Sequence, residues 1–98
     1  MATREYYTFT FEDSIKGLRR ALTDSGFTVE SFSQVDREAA FTITLNGRTG
    51  QVQLTQYRTA RHPLARFGRP VSVSHVEFPD DWEALKAAIP LAFLRGGG

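Results

Sequence analysis

An Asn-Gly pair between two alternating segments is the feature that most constrains the fold of this chain. Residues 39–45 place apolar side chains at every second position, which is the period of a strand with one buried face. Asn46 and Gly47 follow directly and begin a predicted turn over residues 46–50, because this dipeptide readily adopts the positive φ angles that hairpin turns need. Residues 51–57 should therefore return as an antiparallel partner strand. Its predicted core-facing residues are Val52 and Leu54.

The N-terminal part of the chain changes from a strand period to a helix period. Residues 5–11 alternate and predict a first strand, with Tyr7 and Phe11 on one face and Tyr6 on the other. Residues 12–25 then space their aliphatic side chains at helical intervals, which predicts an amphipathic helix. The aliphatic positions are Ile15, Leu18 and Leu22.

Two further strands and a second helix are predicted from the remaining apolar positions. Residues 27–35 and 71–78 are rich in strand-forming residues but break strict alternation, so we expect a bulge or an edge position in the first segment and a bulge near His75 in the second. Asp80 and Glu83 have the spacing of a helix capping box. The helix that they begin should kink or end at Pro90, which cannot donate a helical hydrogen bond.

The resulting order is β-α-β-β-β-β-α, which defines an α+β chain. It predicts a curved antiparallel sheet of about five strands, with two helices packed on one face. At 98 residues the chain has the length of one domain. We assign residues 1–95 to that domain and residues 96–98 to a flexible glycine tail.

The composition limits the cellular compartment and the functional groups that are available for catalysis or metal binding. The chain contains no cysteine, which excludes disulfides, thiolate metal ligands and cysteine nucleophiles, and which favours a cytoplasmic location. Its N-terminus lacks the basic start and apolar run of a signal peptide. Because no apolar stretch is long enough to span a bilayer, we predict no membrane partner.

Charged residues are distributed unevenly, and every charged residue in the middle of the chain is basic. Residues 39–76 contain five arginines and no acidic residue. Four of these arginines lie in the segment 58–69, whose proline and glycine content predicts an irregular loop. Guanidinium groups bind phosphate oxygens in pairs, and neighbouring aromatic rings can stack on bases. The predicted anion-binding or nucleic-acid-binding residues are Arg58, Arg61, Arg66, Arg69, Tyr57 and Phe67.

Two other interpretations of these features remain open from the sequence. The arginines of a solvated loop could pair with acidic side chains on the two helices. Alternatively, the chain could be a protein-interaction module, such as a homodimer, an inhibitor or a subunit of a larger complex. Such a module would use an exposed sheet edge, or an apolar patch formed by Tyr6 and Phe32.

An enzymatic function has less support in the sequence. It would depend on a cleft near His75, Glu77 and Asp81, but no nucleophile elbow or phosphate-binding glycine loop is present. Two histidines in the whole chain offer little for a metal site, and we predict neither a metal nor a cofactor. The sequence therefore favours a non-enzymatic binding or assembly domain.

Overall fold

The computed structural model describes residues 1–7, 9–61 and 69–94. In these residues the order of elements is the one that the sequence predicts. The elements are β1 (Ala2–Tyr7), α1 (Phe11–Asp24), β2 (Thr28–Val35), β3 (Glu38–Leu45), β4 (Arg48–Thr59), β5 (Val71–Phe78) and α2 (Glu83–Leu91).

The strands form one five-stranded sheet in the order β1-β5-β4-β3-β2, and every neighbouring pair is antiparallel. Helix α1 connects the two edge strands, β1 and β2, and therefore crosses the sheet. Side chains from α1 and α2 share one buried cluster with residues from one face of the sheet. The predicted α+β class, with an antiparallel sheet and both helices on one face, is confirmed. We call the opposite surface of the sheet the open face.

The Asn-Gly pair has the predicted backbone angles, but the turn that it forms is shorter than the predicted residues 46–50. Asn46 and Gly47 have φ angles of 52° and 81°, as a turn of this kind requires. Phe41 pairs with Val52 across the hairpin, and Val52 is fully buried. Strand β4 is longer than predicted at both ends. It begins at Arg48, which pairs with Leu45 directly after the turn, and it continues past the start of β3 to Thr59 by pairing with β5.

The prediction for the first strand was wrong at its C-terminal end. Strand β1 ends at Tyr7, and Phe11 is already the first residue of α1. The reason is that the Thr10 side chain accepts a hydrogen bond from the backbone N–H of Asp13 at 3.1 Å, which caps the helix at this point. Tyr6 faces the helices, where its ring stacks on Phe93 at a centroid distance of 4.0 Å.

The two predicted bulges had different outcomes. Strand β2 has a register shift between Val29 and Ser31, as expected. Strand β5 pairs without a shift on both sides, so the bulge predicted near His75 was wrong. The apolar side chains switch from one face of the strand to the other near His75, because β5 is a central strand with buried side chains on both faces. Val73 is buried on one face and Val76 on the other.

The start of the second helix also differs from the prediction. The N-cap of α2 is Trp82, which makes no side-chain capping bond. Asp80 instead pairs with the amino group of Met1 at 3.5 Å. Helix α2 ends one residue after Pro90, as the missing hydrogen-bond donor predicts. Among the described residues, no helix has the length and hydropathy that a membrane span requires.

Tyr6 and Phe32 do not form the predicted apolar patch. They belong to β1 and β2, which are opposite edges of the sheet. Phe32 is half-buried against Phe41, with the guanidinium of Arg19 at 4.9 Å from its ring centre. Each ring is therefore part of the packing at its own edge.

Candidate functional site

One end of the sheet collects basic residues from separate parts of the chain. Strand β4 ends there and β5 begins there, and the turn between β2 and β3 lies beside them. The register brings Arg37 of that turn next to Gln56, since the backbone N–H of Gln56 donates to the carbonyl of Arg37 at 3.0 Å. We call this part of the molecule the basic end. Its described arginines are Arg37, Arg58, Arg61 and Arg69.

A shallow pocket of about 500 Å³ opens at the basic end, on the side of the sheet that carries the helices. Arg58 reaches it because it alternates with Tyr57 and shares a face with Gln56. Arg37 lines the same pocket from the β2–β3 turn. Other lining residues include Thr10, Glu12, Gln56 and Ser72.

The buried amide of Gln56 positions Arg37. Gln56 is only 5% exposed. Its side-chain nitrogen donates to the carbonyl of Phe9 at 2.8 Å, which leaves the amide oxygen to accept from Nη1 of Arg37 at 3.2 Å. The guanidinium group is thus held at the pocket by a side chain that is itself fixed in the core.

The arginines of the basic end are not neutralised by the helices in the described parts of the chain. Among these residues, Arg58, Arg61 and Arg69 form no ion pair with any carboxylate, and all three are exposed. Arg48 differs from them. It binds Asp81 at 2.6 Å and covers the ring of Trp82 at the opposite end of the sheet, so its role there is structural.

Tyr57 is separated from Arg58 by the sheet. Because adjacent strand residues point to opposite faces, Tyr57 lies on the open face, where 41% of it is exposed. Its hydroxyl donates to Oε2 of Glu5 at 2.5 Å. Two other predicted site residues, Arg66 and Phe67, lie outside the described residues, as does the predicted glycine tail at residues 96–98.

Glu5 is the centre of a polar cluster on the open face. His75 lies 3.4 Å from Glu5 through Nδ1 and 3.4 Å from Glu77 through Nε2. Asp81, which the enzymatic hypothesis grouped with His75, is bound to Arg48 at the far end instead. Neither the pocket at the basic end nor a second pocket between α1 and the end of α2 is lined by this cluster. Within the described residues, no group of three His, Asp or Glu side chains could hold a metal ion.

The hydrogen bond between Tyr57 and Glu5 shifts both pKa values. It is the main cause that lowers the pKa of Glu5, and His75 adds to the effect. It also raises the pKa of Tyr57 to about 12. The Tyr57 contribution to stability is therefore present below pH 10 and is lost as the pH rises through about 12. The Glu5 contribution is present above pH 4.5 and is lost as the pH falls through its lowered pKa.

This pair can be tested by titrating the tyrosines. We expect one phenol signal to titrate near pH 12 in the wild-type chain, to disappear in Tyr57→Phe, and to move towards pH 10 in Glu5→Gln, because the charged acceptor is then absent. NMR of ring-labelled tyrosine measures the three phenols separately. A Tyr57 signal that titrates near pH 10 in the wild-type chain would contradict the hydrogen bond.

Comparison with known proteins adds no assignment to this site. No protein-family model matches the chain, and no curated protein or solved structure shows a significant similarity to it. The functional argument therefore depends on the geometry of the basic end and of the open face.

Proposed function

We propose that this chain is a non-enzymatic binding domain and that its basic end engages an anionic partner, with nucleic acid as the expected class. The observation that carries the proposal is the convergence of Arg37 with Arg58, Arg61 and Arg69 at one end of the sheet. These residues come from two separate segments of the chain. None of the last three is paired with a carboxylate among the described residues.

Guanidinium chemistry supports a partner that carries phosphate groups. A guanidinium presents its N–H donors in a planar fork that matches two phosphate oxygens at once. Arg37 is already held by Gln56, so less side-chain entropy is lost when it binds an anion. Glu12 lines the same pocket, and its carboxylate repels a small anion there. Contacts spread over the exposed arginines are therefore favoured over one deep site.

The proposal predicts salt-dependent binding that depends on three arginines. A fluorescein-labelled oligothymidylate of about 12 nucleotides is a suitable probe for a surface of this size. Each phosphate contact on a single strand contributes about −0.7 to the slope of log K against log salt concentration. We expect Arg58→Ala/Arg61→Ala/Arg69→Ala to reduce the steepness of that slope by about 2 and to weaken binding at low salt by at least about tenfold. Fluorescence anisotropy between about 20 and 200 mM KCl measures both quantities.

A matched control removes the same charge elsewhere. Arg4, Lys16 and Arg20 are exposed residues of β1 and α1, outside the basic end. The variant Arg4→Ala/Lys16→Ala/Arg20→Ala therefore loses three positive charges but should retain most of the wild-type affinity. If both triple variants weaken binding equally, only net charge matters and the basic end is not the site. An absence of binding by the wild-type chain at low salt would refute the proposal.

A further inference from the structure

The first turn of α1 forms one wall of the pocket at the basic end, and buried hydrogen bonds fix that turn on the sheet. The side-chain nitrogen of Gln56 donates to the carbonyl of Phe9 at 2.8 Å. The hydroxyl oxygens of Ser14 and Ser74 lie 2.7 Å apart, and both residues are fully buried. These two contacts lie on either side of Glu12 in the sequence, so its backbone is held at the pocket before any ligand arrives.

The other wall of the pocket comes from the sheet and is basic. Arg58 of β4 pairs in register with Ser72 of β5, and paired residues of antiparallel strands point to the same face with Cβ atoms about 5 Å apart. Arg37 completes this wall, where the amide oxygen of Gln56 accepts a hydrogen bond from its Nη1 at 3.2 Å. Two guanidinium groups and the carboxylate of Glu12 therefore line the same space.

The carboxylate of Glu12 has no partner among the residues that the structure describes. It forms no ion pair and no side-chain hydrogen bond with any of them, and it is exposed. The other acidic residue of the first helical turn, Asp13, lines the second pocket instead. An ionised carboxylate accepts hydrogen bonds and donates none. A ligand that fits this pocket must therefore present a hydroxyl or N–H group to Glu12 and phosphate oxygens to the arginines.

Among nucleic acids, a ribonucleotide strand has this combination of groups. Each sugar of RNA carries a 2′-hydroxyl close to a phosphate, whereas a DNA sugar has no hydroxyl there. Carboxylates accept hydrogen bonds from ribose hydroxyls in dinucleotide-binding domains. A DNA strand offers no such donor, so nothing offsets the repulsion between the carboxylate and its phosphates. The Thr10 hydroxyl, whose oxygen accepts from the backbone N–H of Asp13 at 3.1 Å, can still donate its hydrogen to a ligand oxygen in the pocket.

We propose that the ligand of the basic end is RNA, and that Glu12 selects it over DNA by accepting a hydrogen bond from a ribose 2′-hydroxyl. This inference depends on the function proposed above and specifies its partner. Arg37 and Arg58 bind the phosphates next to that ribose. The carboxylate of Glu12 weakens the binding of any strand that lacks the hydroxyl.

The test compares strands that differ only at the 2′ position. The probes are fluorescein-labelled oligouridylate, oligodeoxyuridylate and 2′-O-methyl oligouridylate of about 12 nucleotides, which share their bases and their charge. We expect the wild-type chain to bind the RNA strand at least about tenfold more tightly than the DNA strand, because the hydrogen bond is made to a charged group. The methylated strand should bind like DNA, since its 2′ oxygen has no hydrogen to donate. Fluorescence anisotropy at low salt measures the three affinities.

Substitutions of Glu12 should change the preference in a direction that loss of structure does not produce. Glu12→Ala should bring the ratio of RNA to DNA affinity towards one and tighten DNA binding at least about twofold, because the repelling charge is removed. Glu12→Gln keeps an oxygen that can accept, so it should tighten DNA binding and preserve part of the preference. The control Glu30→Ala removes an equal charge from the edge strand β2 and should leave the ratio unchanged. Far-ultraviolet circular dichroism verifies that each variant is folded.

The possible outcomes distinguish this inference from the proposed function. Equal affinity for RNA and DNA, with loss of both in the triple arginine variant, would overturn the recognition of ribose but leave the anion site in place. A methylated strand that binds as tightly as RNA would also overturn it, because the shape of the strand and not the hydroxyl would then cause the preference. An unchanged ratio in Glu12→Ala has the same consequence. If no strand binds at low salt, both proposals fail.

Discussion

Replacing Phe41 by alanine is expected to lower the free energy of unfolding by about 3–5 kcal/mol. Phe41 is fully buried in β3, where its ring packs against Phe32 at a centroid distance of 5.0 Å. The truncation removes a large apolar side chain and leaves a cavity that the rigid sheet cannot close. For a chain of this length, a loss of that size is a large part of the total stability of about 5–15 kcal/mol. Urea denaturation monitored by circular dichroism measures it.

Phe32 provides the matched control for this prediction. It is the other member of the same ring pair, but it lies half-buried on the edge strand β2. Phe32→Ala loses the same ring contact with less cavity, so its cost should be clearly smaller, at about 1–2 kcal/mol. Equal losses for the two variants would indicate that Phe41 is not at the centre of the core. Neither ring is part of the basic end.

The hairpin register could have predicted more of the site than sequence patterns alone suggested. The Asn46-Gly47 turn fixes the pairing of β3 with β4, and continuing that register past Glu38 brings Arg37 beside Gln56. Arg37 was nevertheless missed, because it lies in an acidic part of the sequence and in a turn. Its place at the pocket follows from the antiparallel pairing and not from the composition of its neighbours.

The alternation of β4 also divides residues that the sequence groups together. Tyr57 and Arg58 are adjacent and both suit a nucleic acid, but the sheet directs them to opposite faces. The parity of Val52 and Leu54, which are buried on the helix side, already assigns Arg58 to that side and Tyr57 to the other. The partner of Tyr57, Glu5, could not be predicted, because the pairing of β1 with β5 brings together opposite ends of the chain.

The irregular parts of the prediction failed where tertiary contacts outweigh local signals. The Asp80–Glu83 spacing resembles a capping box, yet Asp80 is bound to the N-terminus of the chain. The parity change in β5 resembles a bulge, yet it reflects burial on both faces of a central strand. In both cases the sequence pattern is present, but contacts with residues distant in the sequence determine which structure forms there. The regular elements were predicted well because one buried face is enough to define them.

Gly17→Ala is the second substitution for which we expect a large effect. The expected change in stability has the opposite sign to the one that is usual for this replacement in a helix. Alanine in place of glycine inside a helix normally stabilises by about 1 kcal/mol. In α1, however, a Cβ atom at Gly17 would lie 2.4 Å from the carbonyl oxygen of Ala92. The obstacle is backbone, which cannot rotate away as a flexible side chain can, so α1 and the segment after α2 must separate. We expect a net loss of about 1–3 kcal/mol.

The displacement should be detectable beyond the substituted residue. Phe93 directly follows Ala92, and its ring stacks on Tyr6 at 4.0 Å and contacts the edge of Phe9 at 5.2 Å. We therefore expect the NMR signals of the Tyr6 and Phe93 rings to shift in Gly17→Ala, together with the loss of stability in urea. Lys16→Ala is the control, because Lys16 is the exposed neighbour in the same helix and should change stability by no more than about 0.5 kcal/mol. A stabilised Gly17→Ala variant would show that the helices do not approach each other this closely, since only the gain in helix propensity would then remain.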